Sequence, residues 1–120
     1  YLAKIFEGAI ERWTDGDFHH EYDESWPHFK NRVETALQQL CDELAKTKPR
    51  YAVVFTSGGV ISVAIGKLLE LSPNRTFALN WAITNTSLTT LRLVGNEAQV
   101  LSLNEHHFIK AERPDLLTWI

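Results

Sequence analysis

From Tyr51 the chain runs Tyr-Ala-Val-Val-Phe, meets Thr-Ser-Gly-Gly at 56–59, and resumes as Val-Ile-Ser-Val-Ala-Ile-Gly-Lys-Leu-Leu. A short apolar run rich in β-formers, a cluster of small polar residues and a helical continuation predict a strand, a tight turn and a helix N-terminus, with the strand over 51–55 covered on both faces. Open α/β sheets bind ligands where strand carboxyl ends meet helix starts. Unpaired N–H groups and the helix dipole favour an anion such as phosphate there. Gly58 and Gly59 let a backbone approach such an anion closely, or simply make a tight connection; the residues alone support both. Ser57 likewise either contacts the anion through its hydroxyl or caps the helix.

The rest of the composition narrows the setting. One hundred and twenty residues make a single domain, short for an α/β enzyme with a sheet and flanking helices. Twelve basic residues stand against fifteen acidic ones for a net charge of -3, without a basic stripe, which argues against nucleic acid as a partner. Cys41 is the only cysteine, so no internal disulfide forms; its apolar helical neighbours suggest a buried thiol in a reducing compartment. No apolar stretch reaches membrane-spanning length, and the first residues lack a signal-peptide layout. The expectation is a soluble, cytoplasmic protein, in which the sequons at Asn74 and Asn85 go unused. The absence of a starting methionine, and of any methionine, suggests a piece of a longer protein.

Along the chain, Leu2, Ile5, Phe6, Ala9, Ile10 and Trp13 mark one helical face, ended by Asp15-Gly16-Asp17. Residues 17–23 read as a polar loop. His19 and His20 are adjacent and so face different ways, and no closed set of metal ligands accompanies them, so no metal is expected. Asp23-Glu24-Ser25 opens a second helix with Pro27 in its first turn and Phe29, Val33, Leu37, Leu40, Cys41 and Leu44 as its apolar stripe. Pro49 stops it. A third helix over 60–71 and a short one over 76–81 follow. Segments 83–94 and 98–103, joined by Gly95-Asn96, predict an antiparallel hairpin. The Leu-Leu-Thr-Trp tail at 116–119 is expected to dock.

Four short motifs in this order resemble the second half of the histidine phosphatase superfamily, the fold of phosphoglycerate mutases and related phosphatases. They are Glu24-Ser25 with Arg32 on the following helix, Val54-Phe-Thr-Ser-Gly-Gly-Val-Ile61, Asn85-Thr-Ser-Leu-Thr89 and Asn104-Glu-His-His-Phe108. The resemblance implies a three-layer α/β/α sandwich, here the C-terminal portion of one domain spanning 1–120 and lacking its first strand. It also implies phosphoryl transfer from a phosphomonoester to water through a phosphohistidine, with no metal and no organic cofactor. Two departures stand out. The nucleophile's Arg-His-Gly motif occurs nowhere in the sequence, and Ser57 stands where the family usually has its second histidine. A serine hydroxyl bonds a phosphoryl oxygen but brings no positive charge. As this fragment, the chain is expected to be inactive and, with an apolar sheet edge bared, poorly soluble.

On this reading Ser57 and the N–H groups of Ser57, Gly58 and Gly59 hold the phosphoryl group of a small phosphorylated substrate, or a phosphate ion. Arg32 either reaches the substrate or pairs with a carboxylate on its helix near Glu34. Trp13, Phe18, His19, His20 and Tyr22 fall in the family's variable segment and are candidates for substrate selection. Asn85 and Thr86 are expected to stitch the following strand to the turn, and His107 to be a buried, hydrogen-bonded histidine. Two other functions stay open. The same fold without turnover would be a phospholigand- or partner-binding domain, and its apolar tail with Trp13 and Trp26 would suit a homodimer contact. Alternatively Ser57 is the nucleophile of a serine hydrolase, with His106 or His107 as base and Glu97 or Glu105 behind it, although Phe55 is too large for the elbow that such a serine needs.

Overall fold

The computed structural model describes residues 1–119 and shows five α-helices, two short 3-10 helices and one β-hairpin among them. Helix α1 spans Leu2–Thr14 and is followed by a 3-10 helix, Gly16–Glu21, where the sequence suggested a loop. The Asp15 side chain accepts from Asp17 N, which is what tightens that turn. Helix α2, Trp26–Thr47, begins at the expected cap: the Ser25 side chain accepts from His28 N, and Pro27 sits in the first turn. Lys48 takes a left-handed conformation, φ 49, and closes the helix just before Pro49.

Helix α3 is Gly58–Leu68 and α4 is Pro73–Ala82, capped by Ser72. The expected short helix thus starts earlier, because Ser72-Pro73 supplies a cap and a first-turn proline. Strands β1, Leu88–Val94, and β2, Glu97–Glu105, pair antiparallel around Gly95-Asn96. Gly95 has φ 64, the positive value that the first position of a tight hairpin turn demands. Side chains alternate between half-buried and exposed along both strands, so the hairpin lays one face on the helices. Its tip is tied to α2, where Asp42 accepts from Asn96 Nδ2 and Gln38 Nε2 at 3.0 Å each. These hydrogen bonds lower the Asp42 pKa, the Gln38 bond most. Residues 83–87 are not strand: Ile83 ends α4, Thr86 has φ 64, and pairing starts only at Leu88. Helix α5, His107–Glu112, and a 3-10 turn, Pro114–Leu116, complete the chain.

The core is helical and aromatic. Trp26, Val33, Val63 and Phe77 are buried together, with Ile10, Trp13, Phe29, Val60 and Ala64 packed against them. Trp26 lies 4.9 Å from Phe77 and 5.5 Å from Trp13 between ring centroids, so α1, α2 and α4 meet at one indole. Helices α3 and α4 cross closely at Gly66, where a Cβ would stand 2.4 Å from Thr76 Oγ1. Cys41 is a buried free thiol, as expected, and burial pushes its pKa up.

The strand expected over 51–55 is not formed. Residues 51–57 have no ladder partner, and Tyr51, Val53, Val54 and Phe55 are 79, 67, 60 and 94 % exposed. A strand exists through hydrogen bonds to a neighbour, and the two strands present satisfy each other. The sheet among the described residues is this two-stranded hairpin, and they form a mixed helix-and-sheet fold compatible with part of an α/β domain. The α1 face is also less engaged than its pattern suggested: Leu2 and Ile5 are exposed, and only its C-terminal part reaches the core.

Candidate functional site

Ser57 sits immediately before α3 with extended backbone, φ -100 and ψ 162, and its carbonyl accepts from Ile61 N at 3.0 Å. Its hydroxyl makes no cap bond, contrary to the capping role that the sequence allowed. The other capped helices, α2 and α4, are closed by Ser25 and Ser72, so the first turn of α3 keeps donors that no serine serves. Ser62 Oγ instead donates to Gly58 O at 2.8 Å, bonding back within the helix. A Cβ on Gly59 would meet nothing within 4 Å, so no described neighbour requires a glycine there. The turn thus presents an exposed hydroxyl, unserved N–H groups with the positive end of a helix dipole behind them, and open space. The electrostatics of such a surface suit an anion.

Arg32 is held elsewhere. Its Nε and Nη2 donate to the two Glu24 carboxylate oxygens at 2.9 and 2.8 Å, and His28 Nδ1 lies 2.7 Å from Glu24 Oε2. The sequence pointed to an ion pair near Glu34, but Glu34 pairs with Lys30 at 2.8 Å. Glu24 precedes the Ser25 cap, outside the helix, and so lies beyond an i, i+4 search along α2. The Arg32 hydrogen bonds, then that of His28, bring its carboxyl down from 4.5 to about 2, against the effect of desolvation. Because the folded-state value lies below the unfolded one, the stabilisation is complete above about pH 4.5 and is lost as pH falls towards 2. Denaturant midpoints measured at pH 6 and at pH 2.5 should therefore differ less for Glu24→Gln than for the wild type. Equal differences would remove Glu24 as a contributor, and the pair's exposure keeps the effect small.

The variable-segment candidates divide. Trp13 is a core residue: its indole donates to Glu24 O at 2.9 Å and its ring packs on Trp26, Phe29 and Phe77. These contacts tie Trp13 to the aromatic core rather than leaving it on an open surface. Phe18 lies under the Arg12 guanidinium, which pairs with Glu21. His20 is exposed, while His19 and Tyr22 are half-buried. Among the described residues no hydrogen bond or ion pair joins Ser57 to Arg32, His20 or Trp13, and no group of side chains could hold a metal ion.

The two C-terminal motifs form a structural lock. Asn104, at φ 57, accepts from Thr84 N at 2.8 Å and donates through Nδ2 to Ala82 O at 2.7 Å. His106 Nδ1 donates to Asn104 O at 2.6 Å, which fixes the tautomer. The bound, half-buried histidine is thus His106, while His107, expected to be the buried one, is exposed. Asn85 binds the tail rather than the turn: its N and Nδ2 donate to Thr118 O and Oγ1 at 2.9 and 2.8 Å. The tail docks by this polar contact, while Leu116 and Trp119 stay exposed. Thr86 Oγ1 donates to Asn85 O. Neither histidine is hydrogen-bonded to Ser57, and Glu97 and Glu105 are exposed on β2, so the described residues form no serine-histidine-acid arrangement.

No helix of the described residues is long and apolar enough to cross a membrane. No curated protein and no solved structure matches the chain. The family model of the histidine phosphatase superfamily, branch 1, matches residues 2–106, and so nearly the whole of the folded region just described. The chain belongs to the histidine phosphatase superfamily.

Proposed function

We propose that the intact protein is a phosphoric monoester hydrolase in which Ser57, with the N–H groups of Gly58 and Gly59, holds the phosphoryl group of a small substrate. The observation that carries this is the uncapped start of α3, with a free hydroxyl on its cap residue. The superfamily supports phosphatase or mutase chemistry, and Ser57, Gly58 and Gly59 lie within the matched residues. Ser57 orients and hydrogen-bonds; it does not neutralise, so the charge that develops on the phosphoryl oxygens meets only dipoles at this corner. Turnover is accordingly slow. A second reading, a domain that binds a phosphorylated ligand without hydrolysing it, is favoured by the lack, among the described residues, of an ionisable side chain hydrogen-bonded to Ser57.

The test is p-nitrophenyl phosphate hydrolysis and inorganic phosphate binding by the full-length protein and two variants. Ser57→Ala should weaken phosphate binding by about tenfold, the loss of one hydrogen bond to a charged group. Ser57→His should raise turnover. Phosphate binding without turnover in the wild type and in Ser57→His alike selects the binding domain. Unchanged affinity in Ser57→Ala removes the turn from either reading.

A further inference from the structure

Helices α1 and α4 do not close on each other along their whole length. Between them lies a cleft of about 240 Å³ lined by Glu7, Ile10 and Glu11 from α1 and by Asn74, Phe77, Ala78 and Trp81 from α4. Much of the lining is apolar and aromatic: Phe77 is a core residue, and Trp81 makes a T-shaped contact with Phe6 at 5.0 Å between ring centroids. The rim is acidic. Glu7 and Glu11 are one helical turn apart, and neither has an ion-pair partner among the described residues. Arg12, adjacent to Glu11, is turned to Glu21 and Phe18 instead.

Two like charges at i, i+4 repel and weaken the helix that carries them, and a cation between them relieves that repulsion. An indole is the best aromatic partner for a cation, most so where water is partly displaced. A hydrated metal ion would use the carboxylates but leave the Ile10, Ala78 and Trp81 surface idle, whereas a neutral apolar molecule would leave the charges unanswered. The volume is below the range of pockets for drug-sized ligands, so the occupant is small. We propose that this cleft is a binding site for a small organic cation, an alkylated ammonium group whose methyls lie on Trp81 and Ile10 while its charge faces Glu7 and Glu11. The site is independent of the Ser57 turn.

The test uses the full-length protein labelled with ¹⁵N, titrated with choline chloride and separately with 3,3-dimethyl-1-butanol, its neutral isostere, at constant ionic strength in sodium chloride. Choline should shift the Trp81 indole resonance to saturation, with the neutral isostere at least about tenfold weaker. The exposed double variant Glu7→Gln, Glu11→Gln should keep the fold, as seen in its remaining resonances, and weaken choline by about fivefold or more. Equal binding of the isostere, or undiminished choline binding in the double variant, overturns the proposal. So does a Trp81 shift that grows linearly without saturating.

Discussion

Replacing Trp26 by alanine should cost about 3–5 kcal/mol, the range for removing a large aromatic side chain from a core. Domain stabilities are themselves about 5–15 kcal/mol, so this single change should leave the protein marginal at best. The reason is position more than size. Trp26 is the first residue of α2, yet its ring touches those of Trp13 on α1 and Phe77 on α4, with Phe29 6.4 Å away on its own helix. Its loss leaves a hole at a point where three helices share contacts, and neighbours that are themselves rigid rings cannot collapse into it. Trp26→Phe should recover roughly half of the loss. Urea midpoints of the two variants and the wild type give the comparison, and a loss under about 1 kcal/mol for alanine would mean that this cluster is not the core.

Gly66→Ala should also destabilise, by about 1–3 kcal/mol, although alanine is the better helix former. Propensity alone would favour the variant by up to about 1 kcal/mol. Packing wins because the new Cβ would stand 2.4 Å from Thr76 Oγ1, 3.0 Å from its Cγ2 and 3.2 Å from its Cβ, and Thr76 is buried and cannot swing away. Thr76→Ala removes the two nearer atoms. The double variant should therefore be more stable than the sum of the single changes allows, by about 1 kcal/mol. Simple additivity in a urea-denaturation cycle would show that α3 and α4 slide apart at little cost and that the close crossing is not a constraint.

What was legible in the sequence was what is local. Helix α2 announced itself by Ser25 and Pro27, and the hairpin by Gly95-Asn96, because a cap and a turn are settled by a few adjacent residues. The 51–55 run was misread for the opposite reason. Valine and phenylalanine in a row state a preference for strand, but only a neighbour's hydrogen bonds make one, and that neighbour is not written in the run. Arg32 illustrates the same limit at the site, since its partner Glu24 lies outside the helix and beyond helical spacing. The two histidines after Asn104 could not be told apart until the left-handed turn at Asn104 sent one inward and the other to solvent. The family resemblance crossed these gaps because it compares order and spacing over the whole chain, and residues 2–106 bear it out.

The unladdered stretch at 51–57 has a consequence for how the molecule holds together as one body. It is the covalent bridge between α1–α2 and everything that follows, and it contributes no sheet hydrogen bonds to either side. Cooperation between the two parts must then run through space, across the core that Trp13, Trp26 and Val33 share with Val63 and Phe77, the Phe6–Trp81 contact and the Asn96–Asp42 clasp. Those few contacts decide whether the chain melts in a single step or in two, for a domain is one cooperative unit only as far as its internal seams are stronger than the pieces they join.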